Sequence, residues 1–317
     1  MRIFSKGLLP ALLAGPLLPL GLHAQEAAVT PNGVVAAAPA SDWKPIDPAD
    51  LMVMDLAPDA AGKARRVVIQ LIPAPFSQGW TENMRKLVAA RWYDGIAVVR
   101  VQDNYVVQWG DPNSEDEAPD TNGDTARAKP LPGRLEVLAP GDYTAAASAL
   151  PEDVNGANAD AYAARTGFVA GWPIAGDEKA SWPIHCYGTV GVGRSMSPDT
   201  GTGAELYAVI GQAPRQLDRN IAVVGRVIAG MEHLSSLPRG PGIMGFYTSE
   251  ADRTPILSVQ LGNEVANLPG FEYLATDSAS FARYRASRAN RKDGFYDVPA
   301  GGVDICNVPV PIRQASS

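Results

Sequence analysis

The chain has 317 residues, with 34 Asp+Glu against 27 Lys+Arg and a formal net charge of −7. Such a length holds one or two domains, and 46% hydrophobic with 19% charged residues argues against global disorder. The acidic balance makes nucleic acid a poor partner, and two cysteines cannot build a disulfide scaffold or a four-thiolate zinc site but can form one bridge.

Arg2 and Lys6 precede an apolar run, Gly7–Leu22, and Leu22-His23-Ala24 ends in a small residue. This is the pattern of a signal peptide over residues 1–24, with the mature chain starting at Gln25. The run is too short to span a bilayer comfortably and is broken by Pro10, Pro16 and Pro19, with an uncleaved membrane anchor as the alternative. No later stretch approaches that length. The expectation is an exported protein in an oxidising compartment, the periplasm first and secretion second, with no membrane attachment after cleavage.

Residues 25–49, rich in Ala, Pro and Val, read as a linker. Strands are predicted at Leu51–Leu56 and Arg66–Ile72, forming a hairpin around Ala60-Ala-Gly62. From Thr81, the spacing of Met84, Leu87, Val88 and Trp92 marks one face of a helix that ends near Asp94-Gly95. Ile96–Val101 and Tyr105–Trp109 are two further strands. Residues 112–181 carry Pro, Ala, Asn and acids with weak periodicity. Strand patterns resume at Gly188–Val192, Glu205–Ile210, Ile221–Val224 and Ile256–Leu261, with a helical turn over Met231–Leu237. A helix is predicted over Ser278–Asn290; its Arg283, Arg285, Arg288 and Arg291 read as a solvated face. Many short strands with two brief helices predict a mainly β fold, a closed antiparallel barrel with two capping helices.

Several blocks in order resemble the cyclophilin family of peptidyl-prolyl cis-trans isomerases. They are Arg66–Leu71 followed by Trp80-Thr-Glu-Asn-Met84, then Tyr93-Asp-Gly95, Val98–Val101 and Tyr105–Asp111. A second group is Ala204–Tyr207, Leu217-Asp218, Val223–Val227 and Gly230-Met231. The resemblance implies an isomerase domain over 50–262 with an insertion at 112–181, and a C-terminal extension, 263–317, packed on the barrel. It also implies rotation about X–Pro bonds of polypeptides. No bond is made or broken in that reaction, so no cofactor or metal is required. The barrier, roughly 18–20 kcal/mol, comes from amide resonance. A catalyst must bind the twisted amide better than either planar one.

By that resemblance Arg100 is the catalytic arginine, a permanently charged fork suited to donating to the prolyl nitrogen. Gln108 hydrogen-bonds the peptide and steadies Arg100. Tyr105, Val106, Tyr207, Leu217 and Ile221 wall the proline pocket, and Gly193-Arg194 pairs with the substrate backbone in strand fashion. Glu205 occupies a substrate-binding position where the family carries glutamine. Val99 and Ile221 stand where the family has histidines, and Gln216 stands where many members have tryptophan. A carboxylate at Glu205 near Arg100 keeps open a second reading, a catalytically weak binding or chaperone-like protein for Pro-containing segments. The sequence leaves the oligomeric state open.

Other constellations are poorer. Gly188-x-x-Gly191-x-Gly193 lacks dinucleotide spacing and a following helix. No Gly-x-Ser-x-Gly elbow occurs. His185, Cys186, His233 and Cys306 fit no zinc pattern, and Asp120-Thr-Asn122-Gly-Asp124 lacks the glutamate that completes a calcium loop. In an exported chain the two cysteines, Cys186 and Cys306, are expected to pair, tying a strand-like Val303–Val308 segment to the barrel.

Overall fold

The computed structural model describes residues 30–114, 128–151, 160–293 and 295–315. The signal-peptide reading of residues 1–24 and the calcium-like Asp120–Asp124 loop lie outside the described residues.

The strands, in chain order, are β1 (Trp43–Ile46), β2 (Leu51–Leu56), β3 (Arg65–Leu71), β4 (Ala97–Val101) and β5 (Val106–Gly110). They continue as β6 (Ala145–Ala146), β7 (Arg165–Val169), β8 (Trp172–Gly176), β9 (Ala180–Pro183) and β10 (Thr189–Val192). The last are β11 (Leu206–Val209), β12 (Val223–Ala229), β13 (Thr254–Leu261), β14 (Phe271–Leu274) and β15 (Ile312–Gln314). The helices are α1 (Pro31–Ala36), α2 (Gln78–Ala89), α3 (Glu232–Ser235) and α4 (Ala279–Ala289).

The fold is mainly β. Among the described residues, β10, β11, β5, β4, β13, β2, β3 and β12 close in that order into an antiparallel barrel. Closure removes the exposed strand edges that an open sheet would carry. Inward residues such as Met52, Met54, Val67, Ile69, Val98, Val107, Val190 and Ala208 fill the barrel. Trp80, Met84, Leu87 and Val88 of α2 complete the same core at one end, as their helical spacing requires. Leu234 of α3 and the adjoining Leu237 also join it. The β2–β3 hairpin turns where the Asp59 carboxylate accepts from the Ala61 and Lys63 amides and Gly62 takes φ +78°.

Three segments that read as weakly structured prove ordered together. The stretch expected to be a linker contains α1 and β1, and β1 pairs with β14, which pairs with β15. The insertion carries an antiparallel sheet in the order β6-β9-β8-β7. Val34 and Trp43 from the N-terminal stretch, Phe168 and Trp182 from the insertion, and Phe281, Tyr284, Ile305 and Val308 from the extension form one second core. Apart from the helix expected over Ser278–Asn290, no local period announced them, because none of the three could bury its apolar side alone. The Val303–Val308 segment is not a strand: it holds a 3-10 turn, Ile305–Asn307, capped by Asp304. Cys186 and Cys306 are bonded, with Cα atoms 5.1 Å apart. Arg226 of β12 joins barrel and insertion sheet, donating to Gln70 and to the Gly171 carbonyl at 2.6 Å while stacking on Trp172. Arg288 of α4 donates to the Asn307 carbonyl, and Arg291, just beyond the helix, pairs with Asp293, so part of the expected solvated face holds the extension together.

Candidate active site

Alternation along β4 would put Arg100 on the same face as Val98, inside the barrel. A β-bulge intervenes: Val98 opposes Trp109, but Arg100 opposes Gln108 and Val101 opposes Val107. The extra residue, Val99, turns Arg100 to the outer wall while Val98 and Val101 both remain in the core. From there one transverse row runs through matched registers, Arg100 to Gln108, Gln108 to Tyr207, and Tyr207 to Gly191. Directly opposed residues share a face, so these side chains lie next to one another on the outside of the barrel.

The Arg100 guanidinium donates through Nη1 to Gln108 Oε1 at 2.9 Å, through Nε to the Met244 carbonyl at 2.7 Å, and through Nη2 to Gln102 Oε1. It also lies 5.6 Å from the Tyr105 ring centroid and 5.3 Å from that of Phe246. Gln108 in turn donates through Nε2 to Glu205 Oε1. A guanidinium only donates and a carboxylate only accepts, so the Gln108 amide has a single orientation between them. Gly110 and Gly193 make room for Glu205: a Cβ would lie 3.1 Å from its Cγ in the first case and 2.7 Å in the second.

Beside this row is an apolar dish. Val106, Tyr207 and Val209 form its buried floor, and half-buried Tyr105, Leu217 and Ile221 its rim. The five residues expected to wall the pocket are thus in one cluster, and Tyr105 belongs both to the rim and to the surroundings of Arg100. Leu217 sits in a 3-10 turn, Arg215–Leu217, and the Ile221 amide returns to its carbonyl at 3.2 Å.

Other expected residues behave differently. The Gly193 amide donates to the Glu205 carbonyl at 2.8 Å. Arg194 turns its guanidinium onto the Asn220 carbonyl, at 3.0 Å from Nη2, and onto that of Ser195. Of the supposed metal set, both thiols are consumed by the bridge, and His185 is engaged with Asp218 and Tyr207. Residues missed from the sequence are Gln102, Met244 and Phe246. Gln102 follows Arg100 by two positions, a spacing that could have signalled it; the loop carrying Met244 and Phe246 lies 144 residues away along the chain and gives no local signal.

The chain is thus a closed antiparallel barrel with an arginine–glutamine pair on its outer wall beside an apolar cluster. The family described as "Cyclophilin type peptidyl-prolyl cis-trans isomerase/CLD" matches residues 62–260, and the chain belongs to that family. Among solved structures it is similar to the cyclophilin AquaCyp293 from Hirschia baltica, with 22% identity over 91% of this chain and 99% of that one and a TM-score of 0.60. A cyclophilin type peptidyl-prolyl cis-trans isomerase from Cryptosporidium parvum, crystallised in the presence of the dipeptide ala-pro, matches with 12% identity over 66% of this chain and 98% of that one, at a TM-score of 0.36. No curated protein sequence matches.

Proposed function

We propose that this enzyme rotates X–Pro bonds in exported polypeptides by seating the proline ring in the dish of Tyr105, Val106, Tyr207, Leu217 and Ile221 while Arg100 donates to the prolyl nitrogen. The carrying observation is the adjacency of charge and dish: the Arg100 guanidinium is 5.6 Å from the Tyr105 ring that forms part of the rim. The prolyl nitrogen offers a lone pair only when conjugation is broken. A donor fixed at that point therefore favours the twisted amide over both planar forms. The ring needs only an apolar seat, and the preceding carbonyl swings.

Arg100 is pre-organised for this. Its fork is fixed by Gln108, Gln102 and the Met244 carbonyl, and Gln108 is itself fixed by Glu205. The same contacts favour the second reading, binding of Pro-containing segments without turnover, because protein acceptors already engage the guanidinium. Export is supported by the leader pattern at residues 1–24 and by the Cys186–Cys306 bridge, which persists in oxidising compartments. Among the described residues no helix is long and apolar enough to cross a membrane. We read residues 50–262 as the isomerase domain, interrupted by the insertion at 112–181 and buttressed by the extension, 263–317.

A protease-coupled isomerisation assay on a short X–Pro peptide tests the reading. Turnover that Arg100→Ala lowers roughly a hundredfold or more supports it; saturable peptide binding with no rate enhancement supports the second reading instead.

A further inference from the structure

Tyr207 is the one member of the dish floor with a polar group. Its ring lies over Gly191, where any Cβ would collide with the phenol end. Its hydroxyl is 2.9 Å from His185 Nε2, and the two rings are close to parallel, at 13°. His185 has 0% exposure and Tyr207 4%, so neither polar group has solvent to turn to.

The proton positions follow from the partners. Asp218 Oδ1 is 2.9 Å from His185 Nδ1 and accepts from the His185 backbone amide at 3.0 Å. A carboxylate against Nδ1 places the ring proton there, leaving the Nε2 lone pair to accept from the Tyr207 hydroxyl. Burial, aided by the neighbouring Tyr105 and Asp218, pushes the Tyr207 phenol well above its ordinary value, which keeps it a donor. Asp218 is anchored in turn. Arg215 donates from Nε to Asp218 Oδ2 and from Nη1 to Asp160 Oδ2, both at 2.7 Å, and packs over the Tyr162 ring.

This chain of contacts starts in the insertion at Asp160 and ends in the dish. Leu217, a second wall, sits between Arg215 and Asp218, so one anchor serves two sides of the same surface. A phenylalanine here would be held by packing alone and could tilt toward the open dish; a hydroxyl bonded behind the ring fixes its plane.

We propose that His185 is a positioning residue of the proline site, holding the Tyr207 ring in place through its hydroxyl and itself held by Asp218 and Arg215. It touches no substrate. The proposal rests on the reading of the dish as the proline seat, and its test has one arm that does not depend on activity.

In the first arm the full oxidised chain carries ring-labelled tyrosine for NMR. The expected result is a slowly exchanging Tyr207 hydroxyl proton and two resolved ring edges, with both features lost in His185→Leu. Unchanged Tyr207 signals in that variant would overturn the proposal whatever the activity. In the second arm kcat and KM are measured for wild type, Tyr207→Phe, His185→Leu and the double variant. Each single change should raise KM about fivefold, as one lost buried hydrogen bond predicts, with kcat within twofold and the double variant no worse than either single. Multiplying effects, or losses confined to kcat, would refute the positioning role. Tyr207→Phe removes one oxygen only and guards against a His185 variant that fails to fold. If wild type shows the NMR signature without turnover, the positioning stands and the catalytic reading falls.

Discussion

Replacing Arg100 with alanine separates catalysis from folding, because the side chain contributes unequally to the two. In the folded chain it makes hydrogen bonds to Gln108, to Gln102 and to the Met244 carbonyl, all at a half-buried position. Each such bond nets about 1 kcal/mol or less once water can replace it, so the stability cost is about 1–3 kcal/mol. The barrel core is untouched, since Val98 and Val101 on either side of the bulge keep their places. Catalysis is hit harder. One pre-organised donor aimed at developing charge is typically worth about 3–4 kcal/mol, or roughly a 10²–10³-fold fall in rate. Arg100→Lys keeps the charge but cannot reach Gln108, Gln102 and the Met244 carbonyl as a fork, so its activity should lie between wild type and alanine. The assay is protease-coupled isomerisation at several enzyme concentrations, with near-UV circular dichroism to confirm the fold. A folded alanine variant with kcat/KM within threefold of wild type would refute the reasoning.

Glu205→Gln removes the acceptor-only group that orients Gln108; exchanging a charged for a neutral hydrogen bond costs about 1 kcal/mol, so kcat/KM should fall roughly fivefold. A rise would mean that the carboxylate competes with substrate for Arg100. Cys186→Ser with Cys306→Ser opens a bridge spanning 120 residues of sequence, nominally about 5 kcal/mol in the chain-entropy picture; urea melts should show a loss of at least ~2 kcal/mol. Two labelled thiols per chain denatured without reductant would show that the bridge is absent. Burial raises the phenols of Tyr93 and Tyr207, and Tyr93 donates to the Gly203 carbonyl at 2.6 Å. Unfolded tyrosines release protons near pH ~10 while these do not, so their contribution is intact below that pH and is lost as pH rises beyond it. Ultraviolet titration should show both phenols ionising only as circular dichroism reports unfolding; ionisation of every tyrosine near pH ~10 in a folded chain would contradict the burial.

Much of the barrel was legible in the chain because its strands are short apolar runs with clear turns, and because Met84, Leu87 and Val88 keep a helical period; α2 stops at Ala89, so Trp92, at the end of that period, lies beyond the helix. The ordered blocks mark Tyr105, Val106, Tyr207, Leu217 and Ile221 as pocket positions, and these five lie in one cluster. The second core was not. Val34, Trp43, Phe168 and Ile305 come from stretches whose local patterns are weak, and they became a core only by meeting one another and Phe281 of the expected helix. Nor could spacing find the Met244 carbonyl behind Arg100, or the path from Asp160 to Tyr207.

Local composition and period thus determined which residues enter strands, which helix face is buried, and which residue types are available for chemistry. The direction in which Arg100 points was decided elsewhere. By alternation it belongs inside with Val98; one extra residue at Val99 puts it outside, beside Gln108 and Tyr207. A bulge is a property of two paired strands, and the row across β4, β5 and β11 is a property of their registers. Both are set when the barrel closes, because only closure weighs every inward side chain against the same enclosed volume.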